Sequence, residues 1–177
     1  MKPGESNSLC LECGLCCNGV IFADVQLKPE DDAELLQSLG LLLKSPASNL
    51  QNPKFRQPCA AFDGCRCRIY GNRPKYCREF DCLLLKSVRA GKLEAVAALR
   101  VIRAARQRAD KVRGLLRELG DADEHTALSL RFRRMKRRVE SGIPDEETAD
   151  IFSRLTLAVH DLNVLLSGAF YPAPPKG

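Results

Sequence analysis

Apolar residues recur every three or four positions through most of the C-terminal half of the chain. Between Leu83 and Leu119 the stripe passes through Val101, Ala105, Ala109, Val112, Leu116 and Leu119, the repeat of an amphipathic helix, with Gly91 as a point of bending and Gly120-Asp121 as the stop. Glu124 to Glu140 repeats the pattern through Leu128, Phe132, Met135 and Val139. A third helix opens on Asp145, Glu146 and Glu147 and carries Ile151, Leu155, Ala158, Leu162 and Leu165. Three helices joined by short breaks can bury such stripes as an antiparallel hairpin plus a third helix. The tail from Tyr171 to Gly177 holds three prolines and should be extended.

Upstream of Leu83 the helical period fades. Met1 to Ser8 is polar, contains Pro3 and Gly4, and reads as a loose arm. Gly19 to Leu27 is rich in β-branched and aromatic residues and predicts a short strand. Pro29, followed by Glu30, Asp31 and Asp32, predicts a helix that runs to about Leu39 and stops at Gly40. Lys44 to Pro58 turns to Ser, Asn, Gln and Pro and reads as a linker or irregular loop. Asp63-Gly64 is a strong turn signal, so Cys59 and Cys67 could flank a small hairpin. Pro74 then starts a short helix with Cys77 and Cys82 on or beside it. The fold class expected is α+β, mostly α: a small irregular Cys-rich metal-binding domain over residues 1–82, followed by a three-helix extension over residues 83–177.

Charge and length narrow the classes. Met1 to Leu9 has no apolar core of a secretory signal, and no apolar run approaches the ~20 residues that span a bilayer, so a cytoplasmic protein without membrane association is expected. The net charge of +6 is uneven: Lys86 to Glu140 holds 16 Lys and Arg against 7 Asp and Glu, leaving 12 against 15 elsewhere. An anionic partner is permitted by that asymmetry, not demanded. In the run Arg131 to Arg138, Phe132 and Met135 occupy stripe positions, which leaves the basic residues on the solvent side. With no base-stacking aromatics and no reader motif, nucleic acid is not the expected partner.

The chemistry lies in nine cysteines confined to two patches. The first reads Cys10-Leu-Glu-Cys13-Gly-Leu-Cys16-Cys17, a C-x2-C-x2-C repeat with Gly14 for a tight turn and a vicinal pair at its end. Adjacent side chains diverge, so Cys16 and Cys17 do not readily serve one mononuclear ion together. The second patch holds Cys59, Cys65, Cys67, Cys77 and Cys82. In a reducing cytosol such clusters point to metal ligands or redox groups rather than disulfides. Thiolates select zinc, iron or iron–sulfur clusters over magnesium or calcium, and eight or nine exceed the four that one tetrahedral zinc or one cubane requires. Two sites, or one polynuclear site with bridging sulfurs, would use them.

C-x2-C-x2-C-C, then Pro58-Cys59, then Cys67-x-Ile69-Tyr70-x-x-Arg73-Pro74-x-x-Cys77-Arg78-x-Phe80-x-Cys82, resembles the cysteine-cluster proteins named for the motif CxxCxxCC and described as zinc- or iron-chelating domains. The resemblance spans Cys10 to Cys82. It implies metal ligands at Cys10, Cys13, Cys16, Cys17, Cys59, Cys67, Cys77 and Cys82, with Cys65 outside the pattern. Related motifs occur in flagellin lysine methylases, which implies an iron–sulfur methyltransferase or redox enzyme as the alternative to a metal-binding module. Against the enzyme stand the missing Gly-rich cofactor loop, the absent C-x3-C-x2-C spacing and the short remaining chain.

Among the neighbours, Arg66, Arg68, Arg73, Lys75 and Arg78 can favour thiolates or be ordinary surface charge. Tyr70, Tyr76, Phe62 and Phe80 can shield a site or simply form a small core. Asp63 fits a turn better than an oxygen ligand, a role also open to Asp81. His125 and His160 lie outside both patches and read as helix residues. The helical part is expected to support the metal domain or dock a protein partner. Zinc and iron both stay open: thiolate redundancy favours zinc, whereas the vicinal pair suits a polynuclear iron–sulfur centre.

Overall fold

The structure, a computed structural model, describes residues 5–44, 52–64 and 66–171. It is α+β and mostly α. In chain order it runs α1 (Glu5–Cys13), β1 (Asp24–Gln26), α2 (Ala33–Ser38), β2 (Leu43–Lys44), β3 (Lys54–Arg56), a 3-10 turn (Tyr70–Asn72), α3 (Lys75–Glu79), α4 (Leu83–Arg89), α5 (Ala95–Glu118), α6 (Leu128–Glu140) and α7 (Glu146–Ala169). Two compact units interleave in sequence: Met1–Cys13, Asp81–Asp123 and Leu130–Gly177 form one, Gly14–Phe80 and Glu124–Ser129 the other. Expectations for residues 45–51, for Cys65 and for the Pro-rich tail lie outside the described residues.

The first unit is helical. α5 and α7 pack along each other, and α1 lies on α4 and α5. The stripe of α5 is Ala98, Ile102, Ala105, Ala109, Val112, Leu115 and Leu116, so Ile102 rather than Val101 faces inward. On α7 the buried set is Leu155, Ala158, Leu162 and Leu166, with Leu166 in place of the expected Leu165. Small residues at 98, 105, 109 and 158 allow the two long helices close approach. Asp145 caps α7, its Oδ1 accepting from the Thr148 N–H at 2.7 Å.

Three expectations change here. The long helix from Leu83 is broken, not bent: Gly91 has φ +68°, and the N–H groups of Ala90, Gly91 and Lys92 close on the carbonyls of Lys86, Val88 and Ser87. The N-terminal arm is helical from Glu5, with Leu9 buried at its inner face. ESNSLCLEC carries too few apolar residues to announce a helix by its period; tertiary contact with α4 and α5 supplies the reason. Most unexpectedly for a run read as solvent-facing, Arg131 is 1% exposed. Its Nε donates to Asp121 Oδ1 at 3.2 Å and its Nη2 to the Asp121 carbonyl at 2.9 Å. Arg134, half exposed, donates to Asp121 Oδ2 at 2.8 Å. Asp121 thus ends α5 and also holds two arginines of α6. Phe132 stacks on Phe152 of α7 with ring centres 6.4 Å apart.

The second unit holds a three-stranded antiparallel sheet in the order β1-β3-β2. Val25 and Leu43 both pair with Phe55 in the central strand. Phe55 is 2% exposed and joins Val25, Leu27, Leu36, Leu41, Ala61 and Ile69 in the core. One of these strands, β3, falls inside the segment read as a linker, and β2 ends on that segment's first residue. The alternation of exposed Lys54, buried Phe55 and exposed Arg56 is the period-two signal, too short to stand out. β1 likewise covers only three residues of the strand expected from Gly19 to Leu27.

The helix after Pro29 starts later than expected. Asp32 caps it, its Oδ1 accepting from the Leu35 N–H at 2.9 Å, whereas Asp31 accepts from the N–H groups of Lys28 at 2.8 Å and Lys75 at 2.7 Å. Gly40, at φ +93°, follows α2 as anticipated. Glu124–Ser129 docks through the Leu128 N–H, which donates to the Gly19 carbonyl at 2.9 Å. His125 lies in a turn of that segment, not in a helix, while His160 lies in α7.

Candidate metal centre

The first cysteine patch is split by a change of backbone. Cys10 and Cys13 end α1 and belong to the first unit, Cys10 exposed and Cys13 half-buried. Gly14 then takes φ +64°, a conformation that costs glycine nothing, and its carbonyl accepts from the N–H groups of Cys17 and Asn18 at 2.9 Å each. This turn carries half-buried Cys16 and Cys17 in the second unit, pinned by Leu15, which is fully buried.

The second patch meets that turn. The Cys59 N–H donates to the Cys17 carbonyl at 2.8 Å, joining residues 42 positions apart in sequence. The approach is tight: a Cβ on Gly19, which has φ +78°, would stand 3.0 Å from Ala127 Cα and 3.3 Å from Pro58 Cδ. From Cys59 the chain turns through Phe62 and reverses at Gly64, φ +92°, while Asp63 Oδ1 accepts from the Arg66 N–H at 2.6 Å. Phe62 and Cys67 then bridge, and the Arg68 N–H returns to the Ala61 carbonyl at 2.8 Å. The hairpin foreseen at Asp63-Gly64 is therefore present, its bridge closing three residues inside Cys59. α3 presents Cys77, and Cys59, Cys67 and Cys77 all pack against the core of the second unit. Cys82, in the first unit, caps α4 with its sulfur accepting from the Leu85 N–H at 3.4 Å.

These surroundings penalise an isolated thiolate. Burial pushes the Cys77 thiol up to about 12, charge on Cys59 or Cys67 adds to the rise, and Arg73 opposes it. Burial also raises Cys59, against the N–H of Ala61 and the positive charge of Arg68. Cys82 is raised by burial against the N–H groups of Leu85 and Leu84. Cys59, Cys67 and Cys77, near enough to repel one another when ionised, form an arrangement that a cation would relieve. The donor set is all sulfur and fits zinc or iron. Among the described residues no group of three or more His, Cys, Asp or Glu side chains is already assembled to hold a metal ion, so the thiols are neighbours rather than a finished cage.

Two of the five basic residues carry their charge to the sulfurs. Arg73 lies over the Tyr70 ring at 3.6 Å and donates to the Tyr70 carbonyl at 3.0 Å; Arg68 is fixed by the Ala60 carbonyl at 2.6 Å. Lys75 is taken by Glu30 at 3.0 Å and Glu79 at 4.0 Å, and Arg66 and Arg78 are exposed. Asp81 pairs with Arg89. An aromatic cluster flanks α3: Phe22 meets Phe80 edge-on at 4.9 Å and Tyr76 at 5.9 Å. Phe22 sits in the segment read as strand, which hid this role.

A family model described as "Putative zinc- or iron-chelating domain" matches residues 9–102. The chain belongs to the CxxCxxCC family. The match passes Cys82, where the motif residues end, and takes in α4 and the start of α5, so family membership covers helices as well as cysteines. No curated protein and no solved structure matches the chain. No helix among the described residues is long and apolar enough to cross a membrane.

Proposed function

We propose that this CxxCxxCC protein is a cytosolic metal-binding module whose thiolates come from both cysteine patches and serve one centre. The observation that carries the reading is the grouping of Cys59, Cys67 and Cys77 on one small core, with Cys17 tied to Cys59 through the backbone. Among the described residues, Cys16 and Cys17 bring the sulfurs of the second unit to five, more than one tetrahedral ion needs. Cys10, Cys13 and Cys82 are the further ligands proposed from the sequence. A bound cation would offset the burial that raises Cys59 and Cys77, so binding and folding of residues 1–82 are coupled.

The metal is zinc or iron. The vicinal Cys16-Cys17 pair on a single turn favours a polynuclear iron–sulfur centre, because divergent neighbouring sulfurs reach different metal atoms. The test is purification without oxygen, followed by elemental analysis, acid-labile sulfide and a visible spectrum, on the wild type and on Cys→Ser variants at each of the eight positions. Loss of stoichiometric metal in Cys59→Ser, Cys67→Ser and Cys77→Ser supports the centre; full metal content in all three refutes it. A brown protein with labile sulfide returns the iron–sulfur enzyme to consideration, and a colourless one with zinc alone removes it.

A further inference from the structure

Gln57 is 2% exposed, and its Oε1 is buried with no hydrogen-bond partner among the described residues. Buried amide oxygens are ordinarily bonded, because a stranded acceptor loses its water without compensation. The position of this residue says what lies on its side of the fold. The Gln57 N–H donates to the Ala23 carbonyl at 3.0 Å, extending the β1–β3 ladder one step beyond the Asp24–Arg56 pair. Strand alternation continues through exposed Lys54, buried Phe55, exposed Arg56 and buried Gln57, so Gln57 shares the face of Phe55. Phe55 belongs to the core against which Cys59, Cys67 and Cys77 pack. A stranded oxygen and the grouped thiols therefore occupy one side of the sheet.

We propose that Gln57 is an oxygen ligand of the thiolate-held metal, its Oε1 finding in the ion the partner that the described residues do not provide. This rests on the metal-binding reading above. An amide oxygen is a neutral donor and adds no negative charge to a site already crowded with thiolates, which gives Gln an advantage over Glu at this position. The competing explanation is a structural water bonded to Oε1.

X-ray absorption at the zinc edge, on the full chain loaded with zinc chloride, separates the two. The expected shell is sulfur at about 2.3 Å with one oxygen at about 2.0–2.2 Å. In Gln57→Met the oxygen should vanish and zinc should bind at least about tenfold more weakly, since even residues beyond the ligands cost that much. The metal-free variant should melt no lower than the metal-free wild type, because the substitution removes a stranded acceptor. Gln57→Glu should keep the oxygen. A sulfur-only shell in the wild type overturns the proposal, as does an oxygen that persists in Gln57→Met, which would then belong to solvent. Gln57→Leu repeats the comparison with another shape, and a sulfur-only wild-type shell is decisive even where neither apolar variant folds. A chain that takes up no zinc or iron fails at the earlier step and overturns the metal-binding reading itself.

Discussion

Asp121→Ala should be among the most destabilising single substitutions in the helical unit. The carboxylate is 3% exposed and faces the Arg131 guanidinium, 1% exposed, at 3.2 Å. Breaking a buried pair by removing one partner costs about 3–5 kcal/mol. The lower end is expected here, about 3 kcal/mol, because Arg131 keeps further contacts, among them its bond to the Asp121 carbonyl. The half-exposed Arg134 interaction adds at most about 1 kcal/mol. With both losses, about 3–4 kcal/mol, and at roughly 2–4 °C per kcal/mol for a chain of this size, the melting temperature should fall by about 6–16 °C. Replacing the cation as well, in Asp121→Ala with Arg131→Met, should recover part of the loss, since a buried charge is then no longer short of its counterpart.

The same pair has a pH signature. Burial raises the Asp121 carboxyl, but the hydrogen bonds from Arg134 and the Asp123 N–H, with the charges of Arg131 and Arg134, more than offset it and hold it below the usual range. The folded value lies below the unfolded one, so its stabilisation is complete above about pH 4 and is lost as pH falls through the lowered folded value. The gap between wild type and Asp121→Ala should therefore shrink in acid. Urea or thermal unfolding followed by circular dichroism measures all of this. A variant within about 1 kcal/mol of wild type at pH 7, or a double variant no more stable than Asp121→Ala, would refute the reasoning.

Other outcomes follow from the same packing. Gly19→Ala should destabilise more than Gly40→Ala in urea unfolding: both carry the left-handed backbone cost of about 1–2 kcal/mol, but only at Gly19 would the new Cβ meet backbone at 3.0 Å; equal losses would contradict it. A strong chelator should cost little helix signal if the metal mainly supports the cysteine-bearing half, because α1, α2 and α3 hold 9, 6 and 5 residues against 24 each in α5 and α7; loss of most of the helical circular dichroism would show that the helices also depend on the metal. Nucleic-acid binding should be weak and salt-sensitive, since Arg131 is buried and Phe132 and Met135 are turned to packing; sub-micromolar, sequence-selective binding at physiological salt would overturn that.

Local chemistry explains what could be read without coordinates. The α7 cap at Asp145, the reversal at Asp63-Gly64, the short helix after Pro74 and the stop at Gly40 each depend on a few adjacent residues, so their signals sit where the structure puts them. The cysteine spacing with Tyr70, Arg73-Pro74 and Arg78 was enough to name the family, because a motif is itself local. Stripe positions were right in period but off by one residue at Ile102 and Leu166, since a helix face is broad and only the partner helix selects its centre. Tertiary structure alone decided the rest. Lys54–Arg56 is a strand because β1 and β2 flank it, and Glu5–Cys13 is a helix because it packs on α4 and α5 with Leu9 buried. Arg131 is buried because a carboxylate ten residues away awaits it, a pairing that no hydropathy pattern contains. The meeting of Cys17 with Cys59 and the stranded oxygen of Gln57 are of the same kind: both exist only where distant segments close on each other and exclude water.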